Sequence, residues 1–284
     1  MPDCAPAMSV IRPDPGEVER IRAAHACVRA RIAAAAARSG RDPASVTLVA
    51  VSKTVPPERL AAALAAGIFL LGENRVQEAE AKAPLLPGAR WHLVGHLQAN
   101  KAARAVRLFE AIESVDSVGL TRRLDRLAAD LAAGAGADLA AGGRATGAKL
   151  AACPEVASSP PPSTPPTLQA RRRLGVYLQV NVDRDPAKAG FDPEALAAAL
   201  SELAGLAALE LLGLMTVGRL VERAEDARPT FVRLRDLAGE LRAREPRLGP
   251  GLSMGMSDDF EVAVEEGATL VRIGRAIFGP RPAA

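Results

Sequence analysis

The chain has 284 residues, 49% of them hydrophobic, enough to build one large α/β core or two small ones. Its 36 basic and 33 acidic residues leave a net charge of +3, and one Trp, one Tyr and six Phe offer no aromatic platform beside a basic stripe, so nucleic acid is not an expected partner. The three cysteines, Cys4, Cys27 and Cys153, are too dispersed for a metal site or a disulfide framework and fit a reducing compartment.

The N-terminal segment "MPDCAPAMSVIRPDPGE" carries prolines and acids where a secretory signal needs a basic start and an apolar run. With no later apolar stretch of membrane-spanning length, a cytoplasmic protein without membrane association is expected. From Pro15, Val18, Ile21, Val28 and Ile32 fall on one helical face, and Gly40 stands where such a helix stops.

Eight apolar runs follow, separated by Ala/Leu/Arg-rich helical segments: Thr47 to Val51, Ile68 to Leu71, Trp91 to Val94, Ala111 to Val115, Val176 to Val182, Leu209 to Val217, Leu252 to Met254 and Thr269 to Ile273. Strands alternating with helices imply a parallel sheet, and eight such units predict an α/β protein folded as a single (β/α)8 TIM barrel with an extra N-terminal helix. No Gly-rich dinucleotide fingerprint follows the first strand, which counts against an open doubly wound sheet. Residues 131–173, rich in Ala and Gly and then in Pro and Ser, interrupt the rhythm. Their prolines cannot donate to a helix or sheet interior, so an excursion between the fourth and fifth units is expected, adding no second domain.

In a barrel of this kind functional groups follow the C-terminal ends of the strands. Lys53 stands there after the first strand in "TLVAVSKTVPP", Glu73 and Asn74 after the second, His96 after the third, and Asn181 at the end of the fifth. Met215 and Thr216 end the sixth, Ser253 and Gly255 lie in "LSMGMSDD" after the seventh, and Gly274 and Arg275 follow the eighth. A lysine at a strand end most often just reaches water, and a lone glycine most often just makes a turn. Here Ser253 with Gly255, and Gly274 with Arg275 opening a final helix, occupy the two loops where this fold usually holds phosphate. A lysine opposite such a grip points to a phosphorylated aldehyde held as a Schiff base, with pyridoxal 5′-phosphate as the candidate.

Five separated segments, "AVSKTVP", "GENRVQE", "WHLVGHLQANK", "LLGLMTVG" and "LSMGMSDDFEVAVEEGATLVRIGRAIFG", resemble in order and spacing the pyridoxal phosphate homeostasis proteins, the YggS-like single-domain barrels of fold-type III. The resemblance runs from about Pro15 to Pro280. It implies that Lys53 forms the Schiff base, that Ser253 and the Gly274 region bind the phosphate, and that Arg272 faces the pyridine nitrogen. An arginine there leaves the ring nitrogen unprotonated and the cofactor a weak electron sink. Arg275 departs from the family pattern, which has a small hydroxyl residue at that position.

Asn74 and His96 are expected at the barrel mouth around the cofactor, whereas His92 reads as a satisfied core residue. Ser257 is expected to cap a helix whose first turn holds Asp258 and Asp259. Met215, Met254 and Met256 read as packing residues, Met215 also lining the cofactor, and no metal site is expected. The resemblance implies a monomeric carrier that buffers pyridoxal phosphate and supplies apo-enzymes rather than an enzyme. The alternatives are an amino-acid racemase or decarboxylase of the same fold, or an aldolase using Lys53 on a sugar phosphate. A two-base racemase needs a proton donor opposite the lysine, and the single tyrosine, Tyr177, sits early in strand five.

Overall fold

The computed structural model describes residues 11–140, 173–218 and 221–280. A long helix α1 (Pro15–Arg38) precedes a regular alternation: β1 (Thr47–Val51), α2 (Pro57–Ala65), β2 (Leu70–Glu73), α3 (Val76–Lys82), β3 (Arg90–Leu93), α4 (Ala102–Leu108), β4 (Ala111–Val115) and α5 (Val118–Ala140). The second half repeats it with β5 (Leu174–Gln179), α6 (Pro193–Ala204), β6 (Leu209–Met215), α7 (Arg228–Arg244), β7 (Gly251–Ser253), α8 (Phe260–Glu265), β8 (Leu270–Ile273) and α9 (Arg275–Phe278). The strands pair in parallel in chain order and β8 returns to β1, closing the (β/α)8 barrel that the alternation predicts.

Both ends of α1 are set by local chemistry. Asp14 accepts the Glu17 amide at 2.8 Å, and Pro15 fills the first helical position, where an amide would lack a partner anyway. At the other end Gly40 takes φ 67°, the Gly40 amide bonds Ala37 O at 3.1 Å and the Arg41 amide bonds Ala36 O at 2.8 Å, a Schellman stop. Its apolar stripe, Val18, Ile21, Val28 and Ile32, is buried as the spacing predicts. It lies over α2, α8 and α9, where Arg31 stacks on the Phe260 ring at 4.6 Å and donates to Glu261 at 2.8 Å.

Period-two alternation divides the strand side chains between two layers. Leu48, Ala50, Leu71, Leu93, Ile112, Leu178 and Leu214 face the helices and join the large outer core, together with the fully buried Phe109, Phe231 and Phe260. Each such aromatic stabilises the packing by about 1.5–3 kcal/mol. Val49, Tyr177, Met215 and Leu270 face inward and pack on one another, so the barrel is a filled core and not a pore.

Most strand boundaries differ from the sequence expectation by one to three residues, and three differences have a visible cause. The second strand starts at Leu70, because Ile68 is buried by the turn closing α2, its amide bonded to Ala63 O at 2.9 Å. The fifth strand ends at Gln179, because the Asn181 amide turns away to Phe191 O at 3.0 Å. Residues 131–140, expected in the excursion, instead continue α5, whose side chains from Ala129 to Gly134 are exposed. Ala and Leu favour helix strongly enough there to carry Gly134 and Gly136, each costing about 1 kcal/mol. The remainder of the excursion up to Arg172 lies outside the described residues. Among the described residues no helix is long and apolar enough to cross a membrane.

Candidate functional site

The sequence-predicted residues lie toward the C-terminal ends of the strands, some on the rim, some in the barrel floor and His96 farther out. Register brings the first and eighth units together: Val49 pairs with Arg272 and Ala50 with Ile273, so Gly274 follows level with Val51 and the Lys53 turn lies beside the loop after β8. A Cβ on Gly274 would stand 3.4 Å from Val51 O, which shows how closely the two turns pass. Lys53 is half-buried. The turn that carries it contains Thr54 in the left-handed region at φ 63°, and its ends are tied by a bond from the Val55 amide to Ser52 O at 3.0 Å.

Arg272 lies inside the barrel and is 5% exposed. Its guanidinium donates to Ser253 Oγ and, at 2.7 Å, to Thr216 O, and lies 4.0 Å from Glu113 Oε2. Ser253 in turn donates to Glu113 Oε2 at 2.6 Å, and Glu113 Oε1 is 2.7 Å from His92 Nδ1. One polar chain thus crosses the barrel from β3 through β4 and β7 to β8. Burial pulls the guanidinium down from its ordinary range while the Glu113 and Asp259 carboxylates oppose it, and arginine's high intrinsic basicity keeps it a cation. His92 is the satisfied interior residue that its position within the strand predicts. Glu113 was not singled out from sequence, although a lone carboxylate inside the apolar strand "AIESV" is a signal of its kind.

The Ser253 hydroxyl therefore bonds within this floor, and a different serine reaches the loop after β8. Ser257 Oγ accepts the Ala276 amide at 3.4 Å. It does not cap α8, which begins at Phe260 with Asp259 before it, because the Asp259 carboxylate instead accepts the Met256 amide at 2.6 Å and folds the loop back on itself. Burial raises the Asp259 carboxyl above its ordinary value. Gly255 serves that fold: it has φ 91°, and a Cβ there would lie 2.6 Å from Ala263 Cβ. Arg275 is exposed and pairs with Asp258, joining the seventh loop to the eighth.

Met215 is fully buried at the inner end of β6, against Val49 and Tyr177. Asn74 is half-buried, and its backbone meets the loop after β3 so closely that a Cβ on Gly95 would lie 2.4 Å from Asn74 O. His96 stands farther out. Its side chain is 61% exposed and lies 3.0 Å from Asp116 Oδ2, on the edge of a depression of about 410 Å³ that Arg123 and Arg126 also line. Asn181 donates to Asp185 O at 2.8 Å and so shapes the loop after β5. Among the described residues no cluster of His, Cys, Asp and Glu has the composition of a metal site.

Comparison with known proteins agrees with this architecture. The model of the family described as "Alanine racemase, N-terminal domain" matches residues 26–282. The pyridoxal phosphate homeostasis protein of Pseudomonas aeruginosa is 37% identical over 257 residues, covering 89% of this chain and 93% of that one. The structure of PipY from Synechococcus elongatus PCC7942, solved with pyridoxal phosphate bound, superposes with a TM-score of 0.69 at 37% identity, over 91% of this chain and all of the other. Alanine racemase from Corynebacterium glutamicum shares the fold, with a TM-score of 0.60 at 12% identity, and 94% of this chain covers 62% of it. Motif order, closed barrel and near full-length similarity agree, and the chain belongs to the pyridoxal phosphate homeostasis protein family.

Proposed function

We propose that this protein binds pyridoxal 5′-phosphate reversibly through Lys53, buffers it in the cytoplasm and supplies it to apo-enzymes, acting as a monomeric carrier rather than as an enzyme. The observation that carries the reading is the junction of the Lys53 turn with the Gly274 turn above the buried Arg272. These residues fit the cofactor's chemistry. The amides of Gly274, Arg275 and Ala276 and the Ser257 hydroxyl offer neutral donors to a phosphate, with Ser253 and Gly255 holding the loop beneath them. Met215 supplies apolar wall, and Arg272 a fixed cation toward a ring nitrogen. Asn74 and His96 flank the mouth, and Arg275, paired with Asp258, contributes its amide more readily than its guanidinium.

When bound, the cofactor supplies an aldehyde that condenses with a lysine amine and loses water, a bond that a competing amine reverses. The protein's part is to hold that amine at the rim and to keep a cation below it that has no proton to release. Tyr177, the chain's single tyrosine, is buried inside the barrel, where burial and the Glu113 charge push its phenol above the ordinary range. It is a poor proton donor and acceptor at neutral pH, which favours storage over racemisation.

The test is reconstitution with pyridoxal phosphate, reduction with borohydride and peptide mass mapping. Wild-type protein should carry the added mass on Lys53, and Lys53→Ala should carry none while keeping its thermal stability within about 0.5 kcal/mol. Added mass on Lys101 or Lys188 would refute the assignment. Incubated with common L-amino acids, the loaded protein should turn over well below about one per second, the lower end of ordinary enzymes.

A further inference from the structure

Behind the Lys53 turn, between the barrel wall and α3, lies a buried polar cluster that the cofactor reading does not use. Ser52 and Glu73 are both 0% exposed and point outward from the barrel, and Lys82 is 8% exposed. Lys82 Nζ donates to Glu73 Oε1 at 2.6 Å and to Ser52 O at 2.9 Å, while Ser52 Oγ donates to the same Glu73 Oε1 at 2.8 Å and lies 3.1 Å from Gly72 O. The residue before Lys53 is thereby gripped at its hydroxyl and at its carbonyl.

The residue after Lys53 is held from the same helix. The Thr54 amide donates to Glu78 Oε2 at 3.3 Å, and that oxygen lies 3.8 Å from Lys82 Nζ. Thr54 is β-branched and exposed yet sits at φ 63°, a conformation that costs of order 1–3 kcal/mol unless the surroundings impose it. Glu73 Oε2 is buried without a hydrogen-bond partner among the described residues. Burial raises the Glu73 carboxyl, with Lys82 and Ser52 opposing the rise. A buried ion pair with an unsatisfied oxygen is a poor source of stability, since apolar residues of similar volume often serve as well.

We propose that Lys82, Glu73 and Glu78 form a clamp on the Ser52–Val55 turn, positioning residues that fix the direction of the Lys53 amine. This inference rests on Lys53 being the cofactor lysine. The clamp holds both neighbours of Lys53, Ser52 at its hydroxyl and carbonyl and Thr54 at its amide. It also accounts for the strained Thr54, which a relaxed turn would not keep.

Two variants separate positioning from folding. The double variant Glu73→Leu with Lys82→Met removes both charges together and leaves neither buried alone; Thr54→Gly leaves the ion pair intact and releases the strained φ. Each is compared with wild type by hydrogen exchange of the Thr54 and Val55 amides without cofactor, by binding of pyridoxamine 5′-phosphate, which has ring and phosphate but no aldehyde, and by the rate of borohydride-trappable attachment of pyridoxal phosphate. In the double variant the clamp predicts faster exchange at those two amides, pyridoxamine phosphate affinity within about twofold of wild type, and attachment slowed on the order of ten- to a hundredfold, the cost of misplacing a reacting group by about an ångström; Thr54→Gly keeps the clamp and makes its φ inexpensive, so it should exchange and attach at wild-type rates. Unchanged exchange and attachment rates in the double variant would overturn it, and so would equal losses of affinity and rate there, which would make the cluster a support of the whole pocket. If wild type bound neither compound while the double variant still exchanged faster at the turn, the cofactor reading would fall and the clamp on the backbone would stand.

Discussion

The Arg272 side chain shows how much one residue can organise inside a barrel. It joins β8 to Ser253 of β7, to the Thr216 carbonyl after β6 and, through Ser253, to Glu113 and His92. Replacing it by Met removes one partner and leaves Glu113 buried without its cation, so Arg272→Met should lower stability by about 3–5 kcal/mol in urea unfolding. Gly95→Ala tests the rim by steric means. The added Cβ would fall 2.4 Å from Asn74 O, and shifting that backbone should cost about 1–3 kcal/mol and weaken pyridoxal phosphate binding, measured by thermal unfolding and by titration. Lys53 and Gly274 were legible at this scale because they stand just past strand ends, where this fold places functional groups, whereas Arg272, within β8, was singled out by the family resemblance. Ser257 was not, because a serine before acids also satisfies the rule for a helix cap, and only the pairing of Asp259 with the Met256 amide decides between the two. Glu113 was passed over although a carboxylate inside an apolar strand is a signal, and Glu73 was placed at its strand end but not joined to Ser52 and Lys82, because the three stand on different elements.

At the scale of elements, ion pairs join helices that the barrel places side by side. Arg228 at the start of α7 meets Glu265 and Glu266 at the end of α8, and Arg38 of α1 meets Glu265 at 2.6 Å from the other side. Hydrogen bonding to Arg228, then to Arg38, holds the Glu265 carboxyl below the ordinary value of 4.5. A depressed carboxylate stabilises the fold fully above its unfolded value, and that contribution is lost as pH falls through the folded value. Glu265→Gln should therefore cost about 1 kcal/mol or less at neutral pH and flatten the acid limb of the stability curve below 4.5, both read from urea unfolding across pH. The elements themselves followed from period and punctuation: α1 from its apolar stripe and Gly40, and the buried strands from continuous apolar runs. Their ends shifted where burial and ladder pairing diverge, as at Ile68, since apolarity reports the first and not the second.

At the scale of the whole molecule, the passage from β4 to β5 does not interrupt the sheet. Ile112 pairs with Val176 across it, and the exposed side chains of α5 from Ala129 to Gly134 extend beyond the packed part of that helix. Removing Ser158 to Thr167, which lie outside the described residues and carry few apolar side chains, should leave the melting temperature and pyridoxal phosphate binding unchanged by calorimetry and titration. The seam of the barrel is closed differently. Helix α9 has only four residues, and α1 lies over that seam, linked to α8 by Arg31 with Glu261 and Arg38 with Glu265, pairs 230 and 227 positions apart in sequence. During synthesis α1, β1 and the lysine turn leave the ribosome first, yet their partners β8 and α9 arrive last. The nascent chain thus carries Lys53 on an open sheet edge until β8 is made, and a ribosome stalled before residue 270 leaves that edge unsealed and the rim beside Lys53 unbuilt.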